Sequence, residues 1–151
     1  MKEIRLSSTE KTEAINITGE VAAAVAASGV KEGICVVSAA HTTAAVVVLE
    51  ADGLVEKDLL RSLSAIVPNS ASYAHMHGPD PAHGAAHVKS AILGPTKTIA
   101  VSGGKLVLGT WQSIAFVELD GPRSDRKVLV QVVGKCKSAM SRLHSPAGGD
   151  L

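Results

Sequence analysis

Aromatic side chains are almost absent from this chain, and their scarcity restricts the core that it can build. The 151 residues include one Phe, one Trp and one Tyr, yet 46% of the residues are hydrophobic. The core must therefore consist mainly of Ala, Val, Leu and Ile, of which the β-branched Val and Ile favour strands. A length of 151 residues indicates one domain that is large enough to bury a core. Three aromatic residues are too few to form the base-stacking platform of a protein that binds single-stranded nucleic acid.

The charge balance and the hydropathy of the chain argue against two further classes of protein. A formal net charge of +1 supplies no basic surface field for a nucleic-acid duplex. The longest apolar stretch, residues 36–49, is interrupted by polar residues and is shorter than the ~18–20 apolar residues of a membrane helix. The first residues lack the apolar segment of a signal peptide, so we expect a cytoplasmic protein without a membrane or nucleic-acid partner. Cys35 and Cys136 form no paired-cysteine motif, and we expect both thiols to stay reduced.

The hydrophobic pattern predicts an α+β fold with antiparallel sheets. Adjacent strand-like runs follow one another without a helix between each pair, which disfavours a doubly wound parallel sheet. Thr18 is the expected N-cap of the first helix, and Gly29 is its expected C-terminal stop. Strands are expected at residues 2–6, 14–17, 34–39, 44–49, 98–101, 106–108, 113–119 and 127–133, and helices at 19–28, 54–67 and 83–93.

The domain is expected to comprise residues 1–134, where we find no internal repeat and no linker. Residues 135–151 begin with basic side chains and continue into a stretch that contains Gly and Pro. We expect this C-terminal tail to be partly flexible.

Histidines form the most distinctive local pattern, because five of the six lie between positions 41 and 87. His83 and His87 are four residues apart on a predicted helix and therefore share one face. His75 and His77 also share a face if their segment is extended. Such imidazoles can hold a transition metal, although a histidine is equally able to serve as a hydrogen-bonded polar residue. No Glu lies between His83 and His87 as in the HExxH motif, so the pattern does not indicate a metalloprotease.

Two glycine-containing blocks have both a structural and a functional interpretation. Gly103-Gly104 is expected to form a hairpin turn, with an anion-binding backbone nest as the alternative. Trp111, in the block Gly109-Thr110-Trp111-Gln112, either fills the core or forms a pocket wall or a subunit contact.

Isolated charged residues leave similar alternatives open. Glu50 and Asp58 are either solvated or place a carboxylate beside the histidines. Arg123 and Arg126 either lie in solvent near a turn or clamp a phosphate. His144 lies in the tail, and we expect no role for it.

Five short blocks occur in a specific order between about residues 2 and 134. They are His41-Thr42-Thr43 followed by Glu50 and Asp58, Tyr73-Ala74-His75, Ala86-His87-Val88-Lys89-Ser90-Ala91-Ile92-Leu93-Gly94, Gly109-Thr110-Trp111-Gln112 and Asp120-Gly121-Pro122-Arg123. In these blocks the sequence resembles the YjbQ-like family, which is often labelled secondary thiamine-phosphate synthase. The resemblance implies a sandwich of two small, mostly antiparallel sheets with two to three helices. It also implies a homotrimer with sites near the subunit boundaries.

The resemblance supports His41, His75 and His87 as a shared constellation. His83 stands where many members of the family carry Asn, and His77 matches none of the family's elements. The family label refers to a weak activity that joins a pyrimidine diphosphate to a thiazole phosphate and releases pyrophosphate. Three histidines suit Zn²⁺ better than Mg²⁺, so the label and the residues point to different chemistries.

We therefore expect a small-molecule enzyme, either a thiamine-phosphate synthase-like transferase or a metal-dependent hydrolase, that acts on a phosphate-bearing substrate. The alternatives are a metal-free protein that binds phosphate or another small molecule, and a trimeric scaffold. The expected ligands of a divalent transition metal, Zn²⁺ above all, are His41, His75, His83 and His87. The expected catalytic residues are His41, Glu50, His75 and His87. The expected contacts to the substrate or anion are Thr42, Thr43, Gly103, Gly104, Trp111, Gln112 and Arg123.

Overall fold

The computed structural model of the chain describes residues 1–77 and 79–136, which form eight strands and three helices. The strands are β1 (Lys2–Leu6), β2 (Glu13–Asn16), β3 (Val30–Ala39), β4 (Ala44–Leu49), β5 (Thr96–Ser102), β6 (Lys105–Leu106), β7 (Ser113–Glu118) and β8 (Arg126–Cys136). The helices are α1 (Thr18–Ser28), α2 (Val55–Ile66) and α3 (Ala82–Leu93). Within the described residues, none of these helices has the length and apolar character that would let it cross a membrane. His144 and most of the predicted tail lie outside the described residues.

The strands form two antiparallel sheets, as an α+β fold requires. The larger sheet has the order β1-β8-β3-β5-β6, and the smaller sheet has the order β2-β7-β4. Strands that pair are often far apart in sequence, as β1 and β8 are, so the two ends of the described chain meet in one sheet. The predicted fold class is confirmed.

The three-stranded sheet is the middle layer of the domain. Phe116 of β7 faces the larger sheet and is buried in a cluster that also contains α1 residues. Ala115 and Val117 face the opposite way and pack in a second cluster with Ala86 of α3. Both faces of β7 are therefore buried, and its sequence is apolar from Ile114 to Val117 instead of alternating.

The start of α1 differs from the prediction. The helix begins at Thr18 itself, and the Thr18 hydroxyl makes no capping bond to the helix. It donates to Asn16 Oδ1 at 2.7 Å and accepts the N–H of Ile114 at 2.9 Å. The predicted N-cap was wrong because this hydroxyl joins the helix to β7 instead. Gly29 ends the helix in the left-handed conformation, as predicted, with φ of 72°.

The two central strands of the larger sheet are longer than the hydrophobic pattern predicts. β3 starts at Val30, four residues before the predicted strand at 34–39, and β8 continues through Cys136, past the predicted domain end at 134. The two strands pair from Val30 with Cys136 to Ala39 with Val128. Backbone pairing therefore extends both strands through polar residues that a hydrophobic pattern does not count.

A buried ion pair joins β7 to β8 beneath the end of the smaller sheet. Arg126 Nε donates to Glu118 Oε2 at 2.7 Å, and Arg126 Nη2 donates to Glu118 Oε1 and to Thr43 Oγ1. Ser8 Oγ donates to Glu118 Oε2 at 2.9 Å. Burial alone would raise the pKa of Glu118, but the hydrogen bonds from Arg126, the Asp120 N–H and Ser8 outweigh it and lower that pKa. The carboxylate therefore stays ionised in the interior.

Removal of one member of this pair should be costly. The substitution Arg126→Met leaves the buried Glu118 charge without its main partner, and we expect it to lower the free energy of unfolding by roughly 3–5 kcal/mol. The matched control is Arg61→Ala, because Arg61 pairs with Asp58 on the surface of α2. An exposed pair of this kind contributes about 0.2–1 kcal/mol. Urea unfolding of both variants at neutral pH measures the difference.

The same pair predicts how stability depends on pH. Because the folded-state pKa of Glu118 is lowered, its contribution is present above the unfolded-state pKa and is lost as the pH falls through the folded-state value. Arg126→Met should therefore lose less stability than the wild type between neutral and acidic pH. Equal small losses in Arg126→Met and Arg61→Ala at neutral pH would contradict the role given to this pair.

Candidate functional site

An open cleft of about 540 Å³ lies where three connections of the chain meet. The segment after β3 contributes His41, Thr42 and Thr43 to its wall. The segment before α3 and the first turns of that helix contribute four further histidines. The third part of the wall is the β7–β8 connection with the first residue of β8, which contributes Asp120, Arg123, Ser124, Asp125 and Arg126. The cleft therefore joins a group of imidazoles to a polar wall with two arginines.

Four imidazole rings converge on one side of the cleft. The ligand atoms of His75, His77 and His83 all lie within 4.8 Å of one another. The ring centroids of His75 and His87 are 4.5 Å apart, as are those of His75 and His77. The two histidines of the irregular segment before α3 thus meet the two histidines of the helix, which share one face as their spacing predicted.

The Asp120 carboxylate fixes the orientation of His83. His83 Nδ1 lies 2.9 Å from Asp120 Oδ2, and the same carboxylate accepts hydrogen bonds from Lys11 Nζ at 2.8 Å and Arg123 Nη2 at 2.7 Å. Burial alone would raise the pKa of Asp120, but these donors outweigh it and hold the pKa well below its ordinary value. An ionised carboxylate only accepts, so His83 Nδ1 carries a proton, and in the neutral ring Nε2 presents a lone pair.

That lone pair points towards a second imidazole. His83 Nε2 and His87 Nε2 lie 3.2 Å apart. Burial, followed by repulsion from the charged forms of His75 and His83, lowers the pKa of His87. When both rings are neutral, two arrangements are possible. In the first, His87 Nε2–H donates a hydrogen bond to His83 Nε2. In the second, both Nε2 atoms carry lone pairs that can bind the same cation.

Close backbone packing places the loop histidines against α3. A Cβ on Gly84 would lie 2.6 Å from Tyr73 Cβ and 2.8 Å from the carbonyl oxygen of His75, so only glycine permits this approach. Tyr73 Oη donates to the carbonyl of Pro68 at 2.6 Å, which closes the segment before His75. Farther along α3, the buried Lys89 Nζ donates to Asn69 Oδ1 at 2.6 Å. These contacts hold the segment in place.

His41 lies in the same cleft but is held differently. Its Nε2 accepts the backbone N–H of Lys127 at 2.7 Å. Burial, followed by the positive charge of Arg126, lowers the pKa of His41, so the ring is neutral at neutral pH. His41 is not among the three residues whose ligand atoms form the candidate metal group.

The structure brings together only part of the predicted site. Thr42, Thr43 and Arg123 line the cleft with the histidines. Thr43 is buried, and its hydroxyl accepts a hydrogen bond from Arg126. The remaining predicted residues do not line this cleft, and they are Glu50, Gly103, Gly104, Trp111 and Gln112.

These remaining residues have other roles or lie in solvent. Gly103-Gly104 forms the predicted turn between β5 and β6, and Gly103 N–H donates to Glu32 Oε1 at 2.8 Å. Gln112 Oε1 accepts the N–H of Gly109. The Trp111 side chain is 72% exposed and does not fill the core.

Sequence reasoning did not select five residues that line the cleft, and two of them, His77 and Asp120, contact the other histidines. His77 matched no family element, yet it belongs to the group of His75 and His83. Asp120 enters the sequence analysis only as the first residue of the block Asp120-Gly121-Pro122-Arg123, although it binds His83 across 37 positions of sequence. A polar residue directly after an apolar strand is the signal that could have drawn attention to Asp120.

The donor set decides what this cleft can bind. Neutral imidazole nitrogens are typical ligands of Zn²⁺ and related transition metals, and a carboxylate behind a ligating imidazole fixes its tautomer. Arg123, Thr42 and Ser124 also line the cleft, and guanidinium and hydroxyl donors of this kind suit an anion. The arrangement therefore suits a metal ion together with an anionic ligand.

Comparison with known proteins identifies relatives over almost the whole described chain. The family model described as "UPF0047 protein YjbQ-like" matches residues 2–135. A UPF0047 protein of Methanocaldococcus jannaschii is 37% identical over 131 residues, which are 86% of this chain and 91% of the relative. The UPF0047 protein YugU of Bacillus subtilis is 37% identical over 136 residues, which cover 89% of this chain and 99% of YugU.

Solved structures show the same fold. A YbjQ-like protein of unknown function from Sulfolobus solfataricus superposes with a TM-score of 0.84 at 38% identity, covering 89% of this chain and 96% of that chain. A YjbQ/UPF0047 protein from Clostridium acetobutylicum gives a TM-score of 0.80 at 39% identity, covering 88% of this chain and all of that chain.

A methyl group at Gly84 tests the packing that assembles the site. We expect Gly84→Ala to lower the free energy of unfolding by roughly 1–3 kcal/mol, because the new Cβ must displace the segment that carries His75. The matched control is Gly19→Ala in α1, where an added Cβ meets nothing within 4 Å. Urea unfolding measures both variants, and NMR spectra of the imidazoles should change at His75 and His77 only in Gly84→Ala. Equal stability of the two variants would refute the close packing.

Proposed function

The chain belongs to the UPF0047 family of YjbQ-like proteins, and we propose that its histidine cleft is a transition-metal centre that acts on a phosphate-bearing small molecule. The observation that supports this proposal is the convergence of His75, His77 and His83, with an ionised carboxylate behind His83. A group of neutral imidazoles backed by a carboxylate is typical of zinc sites in proteins.

His75, His77 and His83 would hold the metal, and His87 is the nearest candidate for a further ligand. His41 and Glu50 are left out of the ligand set and of the base role, because His41 Nε2 is bonded to the backbone and Glu50 does not line the cleft. When bound, such a metal supplies Lewis-acid polarisation of a phosphoryl oxygen and activates water.

The residues of the chain contribute positioning and charge. Asp120 holds His83 in one tautomer, so that its Nε2 keeps a lone pair. Arg123 lines the same cleft and shares the Asp120 carboxylate with His83, and its half-exposed side chain can contact a phosphoryl group. The open cleft admits a small polar ligand directly from solvent.

The finer proposal concerns the reaction. Hydrolysis of a phosphate ester suits an imidazole-bound metal, and it is the reaction that we favour. Weak thiamine-phosphate synthase activity is retained as a second reaction on the ground of the family resemblance, with release of pyrophosphate as its readout.

The alternative is a metal-free protein that binds an anion. Arg123 and the hydroxyls of Thr42 and Ser124 support it, since these donors line the cleft independently of any metal. Phosphate binding that is equally strong in metal-free and zinc-loaded protein, with no turnover of any ester, would favour this alternative.

We also propose that copies of the chain associate, as a homotrimer. Ile34 and Val133 are neighbours in the register of β3 and β8, and their side chains are 44% and 54% exposed. They lie on the face of the larger sheet that is opposite to its buried residues, such as Cys35. An apolar sheet face of this kind favours burial against another subunit. We place the protein in the cytoplasm, where the free thiols of Cys35 and Cys136 stay reduced.

Metal content is the first test of the proposed centre. Protein purified without a histidine tag and without chelators should retain a transition metal, and His83→Ala should lose it. We expect Asp120→Asn to weaken Zn²⁺ or Co²⁺ binding by roughly 10–100-fold, because His83 loses the carboxylate that orients it. The matched control is Asp125→Asn, since Asp125 lines the same cleft but pairs with Arg5.

Activity is measured on the same preparations. Phosphate release from a panel of phosphate esters should require the bound metal, disappear on chelation and return when Zn²⁺ is added. A wild-type protein that holds no transition metal above buffer level, and binds none on titration, would contradict the proposed metal centre. Equal affinities in Asp120→Asn and Asp125→Asn would remove the role of Asp120.

Self-association is tested on the exposed sheet face. Light scattering after size exclusion should report a trimer for the wild type and a smaller species for Ile34→Asp, because the substitution places a charge in the apolar face. Ile66→Asp is the matched control, since Ile66 is 71% exposed at the end of α2. A monomeric wild type, or dissociation by Ile66→Asp alone, would contradict the proposed interface.

A further inference from the structure

The hydrogen bond at His41 decides which nitrogen of this ring carries a proton. The backbone N–H of Lys127 donates to His41 Nε2 at 2.7 Å, so Nε2 must provide a lone pair. A neutral imidazole has one lone pair and one N–H. Nδ1 is therefore the protonated nitrogen, and the ring has no second lone pair to offer a metal.

Because Nε2 is bonded to Lys127, the Nδ1–H group is the polar group of the His41 ring that remains for a ligand. His41 lines the cleft, and its Nδ1 has no hydrogen-bond partner among residues 1–77 and 79–136. The chain thus provides a neutral N–H donor from a residue of the cleft wall, in the same cleft as the candidate metal group. The pairing with Lys127 holds the ring in this state without any ligand.

We propose that His41 donates its Nδ1–H to an oxyanion, and that His41 and Arg123 form a subsite for a tetrahedral dianion such as a phosphoryl group beside the imidazole cluster. The proposal deepens the proposed function by assigning the part of the cleft that holds the phosphate, and it rests on that function only for the presence of a neighbouring metal.

The hydrogen-bond donors around the subsite fit a phosphoryl group. The charge of Arg126 is matched by Glu118, which accepts two of its hydrogen bonds. Lys11 is shared between Asp120 and Asp80, so the two carboxylates balance the charges of Lys11 and Arg123. Arg123 bonds to Asp120 through Nε and Nη2, which leaves Nη1 of its half-exposed side chain without a partner among the described residues and able to donate to an anion. Neutral donors such as Nδ1–H stabilise a bound oxyanion without requiring a change of protonation when it enters.

Two substitutions separate the two nitrogens of His41. His41→Gln keeps an amide oxygen near the Nε2 position, where it can accept the Lys127 N–H, and removes the Nδ1–H donor. His41→Asn keeps an amide N–H near the Nδ1 position and loses the acceptor. We expect His41→Gln to weaken binding of inorganic phosphate by roughly 10–100-fold, and His41→Asn to retain most of it.

Calorimetry with phosphate, sulfate and acetate is carried out on metal-free and Co²⁺-loaded protein, and Co²⁺ affinity is measured separately. The expected result is that phosphate and sulfate bind, acetate binds weakly, and both variants keep the Co²⁺ affinity of the wild type. The same pattern of anion affinities in a protein that binds no metal would support the subsite while removing the metal centre. Loss of Co²⁺ affinity in both variants would make His41 a ligand and overturn the proposal.

Undetectable phosphate binding to the wild type, or unchanged phosphate affinity in His41→Gln, would also overturn the subsite. If a variant fails to fold, the proton position in the His41 ring can still be measured on the wild type.

Long-range nitrogen NMR of the His41 ring should show Nδ1 protonated and Nε2 unprotonated at neutral pH. An Nε2-protonated ring would overturn the assignment of the donor.

Discussion

The cleft depends on one constraint, which is that two buried carboxylates must each be bonded to cationic side chains. Glu118 and Asp120 are two positions apart at the end of β7, and both are at most 4% exposed. A buried charge is costly unless charged or hydrogen-bonding partners surround it. Arg126 binds Glu118 and Arg123 binds Asp120 from the chain that directly follows β7, whereas Ser8 and Lys11 reach the same two carboxylates from the sequence-distant segment before β2. The cleft is thus the place where the chain satisfies two charges that its middle layer buries.

The same requirement connects the middle sheet to α3. Asp120 holds His83 in the first turn of the helix, and Gly84, the next residue, lets the segment before the helix lie against it. Any movement of α3 relative to β7 would break the contact to a buried charge and separate the helix from the segment that carries His75. The contact to Asp120 and the packing of Ala86 against β7 therefore fix the position of the helix together, and the close approach at Gly84 brings the loop histidines to it.

The larger features of the fold could be predicted from the sequence because they depend on local patterns. Alternation and short Val-rich runs gave most of the strands, and the spacing of His83 and His87 placed both rings on one helical face. The Thr18 hydroxyl could not be assigned in this way, because its partner Ile114 is 96 positions away and becomes available only when β7 takes its place. A local sequence rule predicts which hydrogen bonds a side chain can make, but the partner depends on which strands the fold places beside it.

The same difference separates the predicted residues of the site from the observed ones. His75, His83 and His87 follow from their spacing, whereas the contact of Asp120 with His83 depends on the position of β7 between β2 and β4. Glu50 is close to His41 in sequence but lies at the other end of β4, and the six-residue strand between them carries it away from the cleft. Sequence distance is therefore a poor guide to this site, since a distant residue, Asp120, belongs to it and a nearby residue, Glu50, does not.

The spacing of the imidazoles is the physical basis of the metal centre that we propose. His83 and His87 approach to 3.2 Å between Nε2 atoms, and His75 lies against both rings. Repulsion from the charged forms of His75 and His83 contributes, after burial, to the lowered pKa of His87. Asp120 is bonded to His83, and its carboxylate also accepts from Lys11 and Arg123. In the metal centre that we propose, one cation bound by several lone pairs would take the place of protons on neighbouring rings.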